Sequence, residues 1–232
     1  MSFLSCSIRV VPSVLVAAFV SATPIMAQDD SARKAAKVEF RVTRFDPEDR
    51  KSPVFRVGSG DRQTEIEVPL TFIAGPFEAS LRDETMLDLF QGAADKPAIS
   101  LEIAPAERKH LLLVFFQQDE TYRVLKVHSP PERIKGGDRF IINATSNEMA
   151  IKLGAAEPLL IPVGKSGVLA GPPGGGIVSL PVLVSLKQED DQWKLASTEQ
   201  WPCDPRFRKY LVAYISPRSR HLVFHGVSER MP

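Results

Sequence analysis

Apolar and polar residues alternate with a period of two along several segments of the chain. The alternation is clearest at residues 37–44 (KVEFRVTR), 64–72 (TEIEVPLTF) and 98–104 (AISLEIA). Side chains of a strand point in turn to its two faces, so these segments predict strands with one buried face. Continuous apolar runs at residues 110–116 (HLLLVFF) and 177–186 (IVSLPVLVSL) predict strands that are central in a sheet or covered on both faces.

Turn-forming residues separate the apolar segments. Clusters such as GSGD, SPPERIKGGD and GPPGGG combine Gly and Pro with polar residues. They recur at spacings of about eight to twelve residues, which is typical of β-sandwiches and barrels. Residues 83–95 (DETMLDLFQGAAD) fit either one or two helical turns or an edge strand. We therefore predict an all-β fold, an antiparallel β-sandwich.

A Pro- and Gly-rich stretch at residues 128–138 (HSPPERIKGGD) divides the chain after its N-terminal segment. Each side holds about a hundred residues, the usual size of an immunoglobulin-like sandwich. We predict two such lobes, at residues 28–128 and 129–232, which do not repeat each other in sequence. The alternative is one larger sandwich in which the stretch is a long turn.

The N-terminal segment has the features of an export signal. Arg9 is the only charge before an apolar run at residues 10–20. The run is long enough for a signal-peptide core and too short to span a bilayer as a helix. We predict a signal peptide at residues 1–27 and a periplasmic or secreted protein. The alternative is a buried N-terminal helix, which two prolines would interrupt.

Charge and cysteine content narrow the function further. The chain has 29 basic and 28 acidic residues. Arg9 is the one charged residue within residues 1–27, so the mature chain has equal numbers of basic and acidic residues. A neutral chain has no strong field to attract nucleic acid or anionic lipid, so we predict neither partner. We also predict no transmembrane span in the mature chain.

Cys203 is the cysteine that remains after cleavage, and we expect it to be buried rather than paired between chains.

The order of several segments resembles a family of uncharacterised exported bacterial β-sandwich proteins. The resemblance runs from VFRVGSG at residues 54–60, through GGDRFIINATSNEMAIKLG, to RKYLVAYIS at residues 208–216. It covers most of the mature chain and rests on patterning and on the strand and turn at residues 137–143. It implies export and an unassigned function, and it carries no active-site residue to this chain.

A Gly-Lys-Ser triplet at residues 164–166 raises the question of nucleotide binding. A phosphate-binding loop needs G-x-x-x-x-G-K-[ST] between a strand and a helix, because its backbone N–H groups and the helix N-terminus surround the phosphates. Leu159 stands where the first glycine should be, and Pro172 prevents a following helix. We predict a hairpin turn around Lys165 and no bound nucleotide.

Metal and catalytic motifs are weak. Cys203, His221, His225 and Met231 are the residue types of a blue-copper site. The two histidines, four residues apart on one extended strand, would lie about 13 Å apart, too far to share an ion. The sequence has no G-x-S-x-G elbow and no H-E-x-x-H motif. We predict no metal, no cofactor and no enzymatic activity.

Two features remain as candidate binding surfaces. The C-terminal segment has an excess of basic residues, and we predict that an acidic partner binds Arg206, Arg208, Lys209, Arg218 and Arg220. Trp193 and Trp201 are eight residues apart, so one regular strand would place both rings on one face, where they could stack on a sugar.

The sequence leaves three classes of function: a binding or assembly module, a carbohydrate-binding protein and an enzyme. We predict an exported, non-catalytic binding or assembly module of the bacterial envelope, whose partner is an envelope protein or an acidic surface component. The alternative is a carbohydrate-binding accessory protein that uses the two tryptophans, and an enzyme is the third class.

Overall fold

The computed structural model describes residues 36–45, 52–60, 62–118, 121–174 and 176–231. The predicted signal peptide lies outside these residues. The described part contains strands, one short 3-10 helix at Pro105–Glu107 and no α-helix, which confirms the prediction of an all-β fold. The strands are β1 Lys37–Phe45, β2 Val54–Ser59, β3 Arg62–Glu67, β4 Ala74–Ser80, β5 Met86–Gln91, β6 Ile99–Glu102, β7 Leu111–Gln118, β8 Thr121–His128, β9 Arg139–Asn143, β10 Met149–Leu153, β11 Leu159–Ile161, β12 Ser166–Leu169, β13 Val178–Lys187, β14 Trp193–Cys203, β15 Phe207–Ile215 and β16 Leu222–Arg230.

The strands form four sheets of four strands each. Sheet I has the order β3-β2-β5-β6 and sheet II the order β4-β1-β7-β8. Sheet III has the order β12-β9-β15-β16 and sheet IV the order β11-β10-β13-β14. Neighbouring strands are antiparallel except for β1 with β7 and β9 with β15, which are parallel.

The two halves of the chain have the same topology. If the strands of each half are numbered from one to eight, one sheet has the order 4-1-7-8 and the other the order 3-2-5-6 in both halves. The parallel pair joins strands one and seven in each half. The chain thus builds one eight-strand sandwich twice from two sequences that do not resemble each other.

Three apolar clusters separate the sheets into four layers. The first cluster lies between sheets I and II and includes Phe55 and Phe115. The second lies between sheets III and IV and includes Ile141 and Val184. The third joins sheets II and III, where Leu112 of β7 and residues of β9 and β15 pack together. Sheets II and III are therefore inner layers, and sheets I and IV are outer layers.

Both apolar runs form central strands, as predicted, but the first alone is also covered on both faces. Leu111 to Phe115 are fully buried, and successive side chains of β7 belong to different apolar clusters. In β13, by contrast, Val182 and Val184 are buried while Leu183 is 42% exposed. This strand lies in an outer sheet, so one of its faces has no covering layer. Strand β5, which the sequence allowed as an edge strand, lies inside sheet I between β2 and β6.

The predicted lobe boundary falls in the connection between β8 and β9. Sheets I and II are built from strands before it, and sheets III and IV from strands after it. The shared cluster between sheets II and III binds the halves into one compact unit. That each half is a separate folding unit stays a prediction.

Candidate functional site

The outer face of sheet IV exposes a group of large apolar side chains. Cross-strand pairing places Leu160, Ala150, Ser185 and Leu195 in one row across the four strands of the sheet. Leu160 is 55% and Leu195 is 58% exposed. Leu183 and Trp193 project from the same face, and we call these four large side chains the apolar face: Leu160, Leu183, Trp193 and Leu195.

The two tryptophans do not form one platform. A β-bulge leaves Ala196 without a partner, since Val184 lies opposite Ser197 and Ser185 lies opposite Leu195. One extra residue in a strand reverses the faces to which odd and even side chains point on the two sides of the bulge. Trp201 therefore points into the sandwich and is 8% exposed, whereas Trp193 belongs to the outer face. The expectation that both rings share one face is wrong, and so is the sugar-stacking site built on that pair.

The five basic residues predicted to bind an acidic partner do not form one surface. Arg206 is exposed beside the turn before β15, where its guanidinium is hydrogen-bonded to the Asp204 carboxylate. Arg218 and Arg220 lie in the exposed turn between β15 and β16, at the other end of these strands. Arg208 and Lys209 lie within β15 and have different surroundings.

Arg208 is a structural residue of the junction between sheets II and III. It is 3% exposed, and its Nε donates to Glu229 Oε2 at 2.7 Å. Its Nη1 donates to the carbonyls of Ser129 and Ile134, and Arg41 of β1 pairs with the same Glu229 carboxylate. Burial lowers the pKa of Arg208 from its ordinary value. A partner in solution cannot reach this guanidinium, so including Arg208 in an exposed basic surface was wrong.

Lys209 faces the opposite way, into the open end of the C-terminal sandwich. It lies opposite Arg139 of β9 and Ser228 of β16, so the three residues form one row on the face of sheet III that looks toward sheet IV. They line a cavity of about 280 Å³ together with Pro202, Phe207 and other residues. We call this cavity the cationic mouth: Gly137, Arg139, Ile177, Pro202, Asp204, Phe207, Lys209 and Ser228.

Arg139 forms the inner wall of the cationic mouth. It is 1% exposed, and its Nη1 donates to the Gly137 carbonyl at 3.0 Å and to Cys203 Sγ at 3.4 Å. Its Nη2 donates to the Pro202 carbonyl at 2.6 Å, and its guanidinium carbon lies 5.1 Å from the centre of the Trp201 ring. No carboxylate among the described residues pairs with this guanidinium, so its carbonyl hydrogen bonds stabilise the charge without neutralising it. Cys203 is buried and free, as the sequence led us to expect.

The Gly-Lys-Ser segment forms a turn between two sheets. Lys165 N–H donates to the Pro162 carbonyl, and Gly164 has a positive φ of 67°. Strand β11 before the turn belongs to sheet IV, and β12 after it belongs to sheet III. The predicted hairpin was therefore wrong, because the turn connects strands that are not paired with each other.

The described residues hold neither a cluster of metal-ligating side chains nor a long apolar helix. No group of three or more His, Cys, Asp or Glu side chains there is placed to hold a metal ion. Across the same residues, no helix has the length and apolar character needed to cross a membrane.

Comparisons with known proteins assign no family. Neither a protein-family model nor a curated protein matches the sequence. Among solved structures, the crystal structure of a candidate cell adhesion protein from Bacteroides uniformis aligns with 84% of this chain and 98% of that chain. The sequence identity is 8% and the TM-score is 0.22, so this alignment carries no argument about function.

Sequence reasoning missed Arg139 and the outer face of sheet IV. Arg139 precedes the apolar run FIIN and resembles an ordinary charged residue before a strand. Its position beside Lys209 follows from the parallel pairing of β9 with β15, which no local pattern shows. The exposure of Leu183 was missed because a run of apolar residues does not reveal which strand is in an outer sheet.

Proposed function

We propose that this protein is an exported, non-catalytic binding or assembly module of the bacterial envelope and that it docks its partner on the apolar face of sheet IV. The observation that carries the proposal is the exposure of Leu160, Leu183, Trp193 and Leu195 on one sheet face. Clustered exposed apolar side chains are a frequent mark of protein interaction sites. Tryptophan in particular is enriched among the residues that dominate binding energy at such sites.

The edge of the same sheet supports the proposal. Strand β14 is eleven residues long and lies at the edge of sheet IV, next to β13 alone. An edge strand presents backbone N–H and C=O groups to which a partner strand can add. Trp193 and Leu195 belong to this strand, so a partner could use the sheet edge and the apolar face together.

Export of the protein is part of the proposal. It is supported by the signal-peptide pattern of residues 1–27 and by the small or aliphatic residues before the polar QDD. Fractionation of the native host should find the protein outside the cytoplasm, with Gln28 as its first residue. A cytosolic chain that retains Met1 would contradict this part of the proposal.

The docking surface can be tested by charge insertion. We would immobilise the C-terminally tagged chain, apply envelope extract, and compare wild type with Leu183→Lys/Leu195→Lys. Lys152 and Lys187 lie on the same face, opposite Leu183 and Trp193. Two added charges should reduce retention of a specific envelope component at least about tenfold, because each must be desolvated without a partner. The double variant should keep its far-ultraviolet circular dichroism spectrum, since both side chains lie on a solvent-facing sheet surface.

A matched control exists on the other outer sheet. Val54 of β2 is an exposed apolar residue of sheet I, and Val54→Lys adds a charge there. Retention should be unchanged in this variant. Equal loss of retention in both variants, or no loss in the double variant, would remove the apolar face as the docking surface.

A further inference from the structure

We propose that the cationic mouth of the C-terminal sandwich is a binding site for a small organic anion, a carboxylate with an apolar body, that contacts the Lys209 ammonium and the Ser228 hydroxyl. This site is separate from the apolar face. It opens at the end of the sandwich between sheets III and IV, whereas the apolar face covers the outside of sheet IV.

The charges in the cationic mouth are not balanced. In the part of the chain that the structure describes, neither Arg139 nor Lys209 has a carboxylate within ion-pair distance. Asp204 lines the same cavity, but its two oxygens accept hydrogen bonds from the Arg206 side chain at 2.6 to 3.2 Å. The charges of Asp204 and Arg206 therefore balance each other, and the positive charges of Arg139 and Lys209 remain unpaired.

Leaving these two cations together costs free energy. Charges inside proteins are nearly always paired, because their removal from water is expensive. Burial lowers the pKa of Lys209, and the neighbouring Arg139 lowers it further. An anion in the cavity would offset both effects, since it supplies an opposite charge that the described residues do not provide there.

Free hydrogen-bond donors face the cavity. The Lys209 ammonium forms no hydrogen bond or ion pair with the described residues, and the Ser228 hydroxyl forms no hydrogen bond with them either. The two side chains lie opposite each other on adjacent strands. Two neighbouring donors match the two oxygens of a carboxylate. Arg139 lies behind them with both Nη atoms bonded to the chain and its Nε buried without a partner among the described residues, so it contributes charge rather than direct contact.

The remaining lining is apolar. Ile177, Pro202 and Phe207 complete the wall, and Ile177 is 62% exposed at its rim. A volume of about 280 Å³ is several times the roughly 30 Å³ share of one water molecule in the liquid, so the cavity holds more than a bare ion. A ligand with a charged head and a short apolar body fits both parts of the lining.

The rim of the cavity is held in place before any ligand binds. The Asp138 carboxylate accepts hydrogen bonds from the backbone N–H groups of Lys135 and Gly171, both at 2.8 Å. A side chain at Gly136 would collide with the Pro205 carbonyl, so the two loops approach as closely as glycine permits. A site that needs no rearrangement loses less affinity to ordering.

Calorimetric titration of the full chain with hexanoate tests the proposal, with acetate, inorganic phosphate and 1-hexanol as comparison probes. Hexanoate should bind saturably at one site and at least about tenfold more tightly than acetate or phosphate, because it alone has both the charge and the apolar body. Neutral 1-hexanol should give no saturable heat. Lys209→Met should weaken hexanoate binding about 10- to 100-fold, the usual effect of losing a charged hydrogen-bond partner.

Two further variants keep the test decisive. Lys165→Met removes an exposed lysine from the turn before β12 and should leave hexanoate affinity unchanged. Arg139→Gln removes the inner charge and keeps an N–H donor for the chain, so it should weaken hexanoate binding if Arg139 acts through charge. Absence of saturable hexanoate binding, tighter binding of phosphate than of hexanoate, or equal affinity in Lys209→Met and wild type would each overturn the proposal.

Discussion

The first row that spans all four strands of the inner sheet differs completely between the two halves. In sheet II it consists of Phe77, Phe40, Leu111 and His128, and the two middle residues are buried in the apolar cluster. In sheet III the row at the same topological place consists of Leu169, Arg139, Lys209 and Ser228. The N-terminal sandwich closes this end with aromatic and aliphatic groups, and the C-terminal sandwich places two cations there.

The comparison shows that the fold does not require these cations. The same eight-strand topology forms with Phe40 and Leu111 at this place, whereas in the C-terminal half the Arg139 guanidinium is bonded to the Pro202 carbonyl of β14. Unpaired charges in a cavity are unfavourable for stability, and side chains whose pKa is perturbed by burial and a nearby charge are concentrated at functional sites.

The outer faces of the two outer sheets also differ in their exposed side chains. On the outer face of sheet I, Asp88 is covered by Arg82, which donates to both carboxylate oxygens, and Ser100 donates to the same carboxylate. Phe90 is covered by Arg56, whose guanidinium carbon lies 5.6 Å from the centre of the Phe90 ring. The outer face of sheet IV has exposed leucines and a tryptophan instead. Both candidate binding surfaces thus belong to the C-terminal half.

The largest expected effect is at the junction that joins the halves. Glu229→Ala removes the carboxylate that pairs with Arg208 and Arg41. Two largely buried guanidinium groups would then be left without their partner, so the free energy of unfolding should fall by about 3 to 5 kcal/mol in urea denaturation. Glu229→Gln, which keeps an acceptor oxygen, should lose less. A loss below about 1 kcal/mol in the alanine variant would contradict this role.

The shared apolar cluster should couple the two halves during unfolding. Leu112 is fully buried between sheets II and III, and Leu112→Ala leaves a cavity there. The free energy of unfolding should fall by about 2 to 5 kcal/mol, in one transition observed for both halves. Tryptophan fluorescence reports on the C-terminal half, because Trp193 and Trp201 both lie there. A variant in which only the N-terminal half unfolds early would show that the lobes fold separately.

The polar outer face of sheet I should make stability depend on acid pH. The Arg82 hydrogen bond lowers the pKa of Asp88 below its ordinary value of 3.8, although burial opposes the shift. A lowered carboxyl pKa stabilises the native state above the unfolded pKa, and this stabilisation is lost as the pH falls through the folded value. Asp88→Asn should therefore reduce stability by about 1 to 2 kcal/mol at pH 7 and by less at pH 2 to 3. An equal loss at both pH values would rule out the ionised pair as its cause.

Replacing Lys209 with the apolar residue type of the N-terminal row should have the smallest effect on the free energy of unfolding, and the effect should be stabilising. Lys209→Leu places at this position the residue type found at Leu111. Removing a desolvated charge should stabilise the protein by about 1 kcal/mol at pH 7. Burial lowers the pKa of Lys209 below 10.5, so the unfolded chain binds the proton more strongly and wild-type stability should rise as the pH increases toward that value. Loss of stability in the leucine variant would mean that the ammonium has a structural partner.

Local pattern predicted the strands better than it predicted the sites. Alternation in residues 37–44 identified β1, and the apolar run at 110–116 identified a strand covered on both faces. The site residues depended on pairing over long distances and on one irregularity. Arg139 meets Lys209 through a parallel ladder, and the bulge at Ala196 turns Trp193 away from Trp201. A single sequence shows neither feature, because both are decided by how sheets are assembled.

Chemical-shift mapping with hexanoate is the most direct test of the claim that the C-terminal half alone has the charged site. Amide signals of the ¹⁵N-labelled protein should shift around Gly137, Arg139, Lys209 and Ser228, where the cationic mouth lies. The signals of Leu111 and His128, at the same topological place in the N-terminal half, should stay unchanged. Equal shifts in both rows, or no shifts in the row that contains Lys209, would contradict the account.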